Sequence, residues 1–207
     1  DYSVPFSEPF IPTIGKYGKN WITLISASKA FSFPGPRCAI AIISPHINEK
    51  KYTNLKKFCD REQFGHAFSL GGLYVTTSGT SHTAQYGLAK MLEAATSGEF
   101  NFIEITSEYG RRAEKVKEIF LKYGFEQVYK KDMDETVGNG FYLTMSYPGY
   151  EGNDLMLELL RYGISTITLK STGSVRHEGL RVCISFIGLD EMPKLENKLQ
   201  KFMEDHK

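Results

Sequence analysis

The sequence has few of the features that mark a membrane, disulfide-bonded or metal-binding protein. None of its apolar runs approaches the length of a membrane-spanning helix within the 207 residues. Its three cysteines are an odd number, and Cys38 and Cys183 lie in apolar runs. We therefore expect small core residues in a reducing compartment, the cytoplasm, and no disulfide framework. The five histidines show no ligand spacing, which argues against a metal site.

Neither sign of charge is in excess. Lys and Arg number 25 against 24 Asp and Glu, which gives a formal net charge of +1. This balance offers no electrostatic basis for binding nucleic acid or an anionic membrane, so we expect neither as a partner. With 41% hydrophobic and 13% aromatic residues, the chain can build one large domain or two small ones.

Two apolar runs, at residues 21–25 and 38–43, flank a turn of small residues that carries Lys29. The runs predict two buried strands. An ammonium group avoids burial, and desolvation favours the neutral amine that attacks a carbonyl. Arg37 adds a planar fork suited to phosphate, and Ser26 adds a hydroxyl. An amine for an aldehyde and donors for a phosphate together describe a pocket for pyridoxal 5′-phosphate (PLP).

The pattern Ser-x-Ser-Lys-x-Phe-x-x-x-Gly-x-Arg, from Ser26 to Arg37, resembles the cofactor-lysine signature of class I/II aminotransferases. These are the PLP-dependent enzymes of fold type I. The resemblance implies that Lys29 forms the internal aldimine with PLP. It implies that Ser26 and Arg37 hold the phosphate, with Ser28 as a further cofactor-binding residue. The alternative is a surface lysine and arginine on a Gly/Pro loop, which leaves the flanking apolar runs unexplained.

A second chemical signal is Arg181, which lies within an otherwise apolar run. A guanidinium group among apolar residues requires a carboxylate or another partner. The segment Leu-Arg-Val-x-Ile-Ser resembles the family segment whose arginine binds the α-carboxylate of the substrate. A planar guanidinium can donate two parallel hydrogen bonds to the two oxygens of a carboxylate. The alternative is a structural salt bridge to an acidic neighbour such as Glu178.

The resemblance implies an α/β chain with two parts. Residues 1–98 would be the C-terminal part of the large PLP-binding domain of fold type I, a mixed sheet with helices. Residues 99–207 would hold an interdomain helix and a small α/β C-terminal domain. Periodicity predicts helices at residues 48–59, before Ser97-Gly98, through residues 102–123 up to Gly124, at 155–162 and after Asp190. Short strands are predicted near residues 126–129, 164–169 and 180–186, and residues 138–145 resemble the family's Gly-Gly-x-Phe strand.

The lysine signature begins close to the first residue of the sequence, whereas the family places a long N-terminal portion before it. That portion supplies a phosphate loop, an aromatic ring stacked on PLP, and an aspartate for the pyridine nitrogen. We therefore expect this chain to be the C-terminal half of such an enzyme, which requires the other half as a partner and is inactive alone.

The function implied by the resemblance is amino-group transfer between an L-amino acid and a 2-oxo acid, by a ping-pong aldimine mechanism in a homodimer. Two alternatives stay open. One is a carbon–sulfur lyase or a related α-carbanion enzyme of the same fold. The other is a non-catalytic fragment.

Overall fold

The computed structural model describes residues 13–132 and 134–206. Contacts within the chain separate two compact units. We call residues 13–102 the hairpin unit and residues 103–206 the sheet unit. Both combine helices with antiparallel strands, so the chain has the α/β class that the sequence predicts. The assignment of residues 1–98 and 99–207 to a large and a small domain stays a prediction.

The hairpin unit contains the two predicted strands that flank the lysine turn. Strand β1 is Ile22–Ser26 and strand β2 is Ala39–Ile43. They pair antiparallel, and the pair nearest the turn is Ser26 with Ala39. A one-turn helix, α1 at Ala27–Ala30, follows β1 directly.

Both strands are less buried than the sequence predicts. Leu24 on β1 is 71% exposed, and Ile22 and Ile42 are exposed as well. The prediction of two buried strands is therefore wrong about burial, although it is right about the strands themselves. The physical reason is that side chains alternate between the faces of a sheet, and this two-stranded sheet has one face open.

The predicted continuous helix at residues 48–59 is also wrong. Backbone of residues 50–52 pairs instead with residues 62–64, where the Tyr52 N–H donates to the Glu62 carbonyl at 2.8 Å. These bonds between distant residues interrupt the helix, and an amphipathic pattern gives no sign of them. The chain forms short helical pieces instead, namely α2 (Pro45–Asn48), a 3₁₀ turn (Thr53–Leu55) and α3 (Lys56–Cys59).

Helical structure continues through the rest of the hairpin unit. Helix α4 (Phe64–His66), a π-helical segment (Ala67–Tyr74) and helix α5 (Val75–Thr77) follow one another without a break. Helix α6 (His82–Ser97) then confirms the helix predicted before Ser97-Gly98. It ends where Gly98 adopts φ +80°, a left-handed conformation that glycine adopts at little cost.

The sheet unit begins within the longest helix, α7 at Phe102–Lys122, which confirms the predicted helix. Gly124 follows it with φ +87°. Two further helices, α8 (Gly152–Arg161) and α9 (Met192–Asp205), confirm the remaining helix predictions within a few residues. All three helices bury one apolar stripe, as the 3.6-residue period predicts.

The strands of the sheet unit form an antiparallel sheet in the order β3-β6-β8-β7. A separate hairpin pairs two short strands, β4 and β5. The bounds are β3 (Glu126–Gln127), β4 (Lys131–Asp132), β5 (Glu135–Thr136), β6 (Tyr142–Ser146), β7 (Ile167–Thr168) and β8 (Leu180–Cys183).

One face of this sheet packs against the helices to form a continuous core. Leu180 and Val182 on β8 and Leu143 and Met145 on β6 are buried, and the residues between them lie on the opposite face. Helical residues complete the core, including Val116, Phe120, Leu155, Leu159, Leu199 and Phe202.

Candidate active site

The four predicted cofactor residues lie at one end of the β1–β2 hairpin. Ser26 is the last residue of β1, and Ser28 and Lys29 lie on α1, which immediately follows. Arg37 precedes β2 by two residues. Because Ser26 pairs with Ala39, the hairpin brings both sides of the turn to the same end. The structure therefore places together the residue types that the sequence singles out.

A small core fixes this end of the hairpin. Ala27 and Cys38 are buried and cluster with Ala84 and Leu88 of α6. The Ala27 N–H donates to the Cys38 carbonyl at 3.1 Å, so the two sides of the turn are tied together. Small buried residues at these positions hold the turn and leave the neighbouring polar side chains at its surface.

The serines and the arginine each contact the turn itself. The Ser26 hydroxyl accepts a hydrogen bond from the Ser28 N–H at 3.3 Å, which caps α1. Arg37 Nη1 donates to the Pro34 carbonyl at 2.8 Å. Arg37 also has φ +56°, a left-handed conformation that is uncommon for residues other than glycine. Strained backbone at a candidate ligand-binding residue is typical of functional sites.

Lys29 is exposed in the structure. The sequence predicts a desolvated lysine, and this part of the prediction is wrong for the described residues. Any desolvation of the Lys29 amine must come from surfaces other than those that this structure describes.

Arg181 lies on β8 in the sheet unit, opposite Thr144 on one neighbouring strand and Ile167 on the other. Its Nε atom is buried and has no hydrogen-bond partner among the described residues. The Arg181 Cζ atom lies 4.3 Å from the centre of the Tyr142 ring. A guanidinium with a buried, unsatisfied donor is typical of a site that takes an anionic partner.

The alternative salt bridge from Arg181 to Glu178 is absent. Glu178 pairs instead with Arg176, whose Nη2 lies 2.7 Å from the Glu178 carboxylate. Hydrogen bonds from its own backbone N–H and from Arg176 lower the pKa of Glu178 below its usual range. The carboxylate nearest in sequence is therefore committed to another cation, and the sequence could not show which of the two arginines it takes.

Sequence reasoning missed two side chains on the Arg181 face of the sheet. Tyr142 contacts the Arg181 guanidinium, and Cys183 is exposed two residues further along β8 rather than buried. Strand alternation places Cys183 on the same face as Arg181. Both would have been found once the register of β6 on β8 was known, because Tyr142 lies directly opposite Cys183.

The prediction that the cysteines are small core residues is therefore correct for one of the two cysteines in apolar runs. Cys38 is buried and Cys183 is exposed. Among the residues that the structure describes, no helix is long and apolar enough to cross a membrane.

Comparison with known proteins supports the predicted fold. No protein-family model and no curated protein matches the chain. Solved structures do match, among them aspartate aminotransferase from Thermotoga maritima, with a TM-score of 0.69 at 17% identity. An aromatic aminotransferase from Pyrococcus horikoshii matches with a TM-score of 0.65 at 15% identity. An α-aminoadipate aminotransferase from Thermus thermophilus, solved with N-(5′-phosphopyridoxyl)-L-leucine, matches with a TM-score of 0.62 at 16% identity.

The matches cover most of this chain and less than half of each aminotransferase. The match to the Thermotoga protein covers 98% of this chain and 45% of that protein. The matches to the Pyrococcus and Thermus proteins each cover 89% of this chain, and they cover 43% and 42% of those proteins. The chain therefore has the α/β fold of fold type I aminotransferases over the part that aligns. This extent is consistent with the predicted C-terminal portion of such an enzyme, and at these identities the likeness concerns the fold.

Proposed function

We propose that the chain is part of a PLP-dependent aminotransferase that moves an amino group between an L-amino acid and a 2-oxo acid. The observation that carries this proposal is the end of the β1–β2 hairpin, because Lys29, Ser26 and Arg37 all lie on the turn there within an aminotransferase-like fold. The roles of these side chains are proposals that rest on their chemistry and their common position.

The donor set at the hairpin end fits PLP. A lysine amine is the group that binds an aldehyde covalently, and Lys29 is the lysine of α1. Two hydroxyls and a guanidinium suit a phosphate, and Ser26, Ser28 and Arg37 provide them. When bound, PLP would supply an electron sink for the carbanion formed at the substrate Cα.

In this proposal Lys29 moves the proton that the reaction requires. A neutral Lys29 amine would take the proton from the substrate Cα and later return one, as general base and then general acid. Because Lys29 is exposed here, we propose that residues beyond the described chain cover it and favour the neutral amine.

Arg181 would orient the substrate. Two parallel N–H···O bonds from its guanidinium to the α-carboxylate would fix the position of the amino group. Both the amino acid and the 2-oxo acid carry this carboxylate, so one arginine serves both halves of the reaction. Glu178 pairs with Arg176 and not with Arg181, which supports this role because that carboxylate does not occupy the N–H donors of Arg181.

Several features of the assembly are also proposals. The exposed apolar residues of the hairpin unit, among them Phe58, Tyr74 and Val75, support a homodimer and contact with the other half of the enzyme. That half would supply the ring-stacking aromatic and the carboxylate for the pyridine nitrogen. Three cysteines without a disulfide among the described residues support location in the cytoplasm.

The test is covalent labelling of the cofactor lysine in the full-length protein. Borohydride reduction with PLP bound, followed by peptide mapping, should place the pyridoxyl group on Lys29. A label on Lys16 or Lys90 would contradict the proposal. Supply of an excess of a 2-oxo acid then tests the reaction: a transaminase converts it stoichiometrically, whereas release of ammonia and pyruvate without an acceptor would identify a lyase.

A further inference from the structure

The Arg181 guanidinium is held by a ring rather than by a carboxylate. β8 has a neighbouring strand on each side, and within the described residues the Arg181 side chain makes no hydrogen bond or ion pair, its buried Nε atom included. A cation on a strand of this kind is commonly paired with an acid. Here its closest aromatic contact is Tyr142, with 4.3 Å between the Arg181 Cζ atom and the ring centre.

The register of the sheet explains this contact. Tyr142 on β6 lies directly opposite Cys183, so it is the diagonal neighbour of Arg181, which lies opposite Thr144. Diagonal neighbours on one face of an antiparallel pair are within reach of aromatic and long side chains. The distance of 4.3 Å is well inside the range of about 6 Å over which a ring attracts a cation.

A ring and a carboxylate have different consequences for a cation that must bind a ligand. A carboxylate occupies the N–H donors of the guanidinium and neutralises its charge. A ring attracts the cation from above the face of the ring. The five N–H donors of the guanidinium point outward within the plane of the guanidinium itself. The Tyr142 contact therefore fixes the guanidinium and leaves its donors for an incoming carboxylate.

We propose that Tyr142 is a positioning residue for substrate binding, whose ring lies against the Arg181 guanidinium and holds it ready for the α-carboxylate. This inference rests on the proposed carboxylate-binding role of Arg181. It concerns the ring of Tyr142 rather than its hydroxyl, and it assigns Tyr142 to the binding step rather than to proton transfer.

Replacement of the ring in the full-length protein tests this role. Tyr142→Leu should raise the KM for the amino acid and for the 2-oxo acid about tenfold, with kcat changed less than twofold, since loss of a partly desolvated cation–π contact weakens orientation of Arg181. Tyr142→Phe and Tyr142→Trp keep a π face and should stay within about twofold of the parent protein. An amine substrate without a carboxylate should respond equally in all these proteins.

A matched control is Tyr129→Leu, because Tyr129 and Tyr142 are both 39% exposed tyrosines of the sheet unit. Tyr129 contacts the Ser174 hydroxyl rather than Arg181, so its replacement should leave KM unchanged. Thermal unfolding of every variant shows whether the sheet is intact. If Tyr142→Leu does not fold, Tyr142→Met removes the ring but keeps an unbranched, flexible side chain that can fill the space differently.

A double-mutant cycle separates the possible failures. On an Arg181→Leu background, Tyr142→Leu should have no further effect on KM, because the ring acts through the guanidinium. If Arg181→Leu itself leaves KM unchanged, the proposal that Arg181 binds the substrate α-carboxylate is contradicted. If Arg181→Leu raises KM while Tyr142→Leu does not, or if Tyr142→Phe is as harmful as Tyr142→Leu, the positioning role of the ring is overturned.

Discussion

The hairpin unit and the sheet unit differ in how much apolar surface each buries by itself. The sheet unit encloses a core with side chains from three helices and from β6 and β8, in which Phe202, Leu155 and Leu199 are fully buried. The hairpin unit has a small core of Ala27, Cys38, Ala84 and Leu88, and Leu24 and Phe58 stay exposed.

This difference separates two kinds of candidate residue. The unit that carries Arg181 has the core of a domain that can fold by itself. The unit that carries Lys29 has only a small core of its own and leaves large apolar side chains such as Leu24 and Phe58 exposed, which favours contact with another chain or another part of the same protein. We therefore expect the fold of the hairpin unit to depend on neighbours more strongly than the fold of the sheet unit.

The largest expected effect is on stability and contrasts the two cores. Phe202→Ala should lower the free energy of unfolding by about 3–5 kcal/mol, because it removes a fully buried ring from the sheet unit. Leu24→Ala, at an exposed position of the hairpin unit, should change it by less than about 0.5 kcal/mol in this chain alone. Urea unfolding followed by circular dichroism measures both.

If Leu24→Ala costs as much as Phe202→Ala, the hairpin unit buries Leu24 in solution and the comparison between the units fails. The same pair in the full-length protein sharpens the comparison. A cost for Leu24→Ala of about 2 kcal/mol or more there would show that another part of the protein covers the hairpin face.

The next effect separates the functions of the two units. Arg181→Leu should raise the KM for amino acids and 2-oxo acids by about 100-fold or more, since it removes two charge-assisted hydrogen bonds of about 1.5–3 kcal/mol each. The cofactor absorbance of the resting protein should stay intact, because Lys29 lies in the other unit. Titration with substrate measures KM, and the visible spectrum measures the bound cofactor.

The matched control for Arg181→Leu is Arg176→Leu, which removes a neighbouring arginine that is paired with Glu178. It should leave KM close to that of the parent protein. Loss of bound cofactor in Arg181→Leu would contradict the division of labour between the units.

The smallest effect concerns acid pH and the sheet unit. Hydrogen bonds from Lys122 and Tyr123 to Glu196 lower the pKa of Glu196 and connect the end of α7 to α9. A carboxyl group whose pKa is lowered in the folded state stabilises the fold at pH values above its ordinary pKa of 4.5. This contribution is lost as the pH falls through the lowered pKa.

Glu196→Gln should therefore reduce the dependence of the melting temperature on pH below about pH 5, by a small amount because the ion pair is exposed. Glu99→Gln, which changes an exposed carboxyl group of the hairpin unit, serves as the control. Identical pH profiles for Glu196→Gln and the parent protein would show that this ion pair contributes nothing to acid stability.

The sequence predicts the helices of the sheet unit well because each of them buries a stripe against one core. The apolar period of α7, the glycine at position 124 and the apolar positions of α9 all have local causes that a sequence displays. The position of Ser26, Lys29 and Arg37 at one end of the hairpin is likewise predictable, since a hairpin must bring the two sides of its turn together.

The errors arose where distant residues decide the outcome. The pairing of residues 50–52 with 62–64 breaks the predicted helix, and the open face of the hairpin exposes Leu24. The Tyr142 contact depends on the register between two strands about 40 residues apart in sequence. Periodicity describes one element at a time, so it could not reveal these pairings.

The left-handed backbone of Arg37 has an evolutionary consequence. A side chain with a Cβ atom is disfavoured at φ +56° by about 1–2 kcal/mol relative to glycine, although glycine loses more entropy on folding. Folding alone thus gives arginine no advantage at this position. A lineage that had lost the need for an anion at the hairpin end would be expected to drift to glycine or asparagine here, so the residue at position 37 in related genes reports whether selection for that contact has continued.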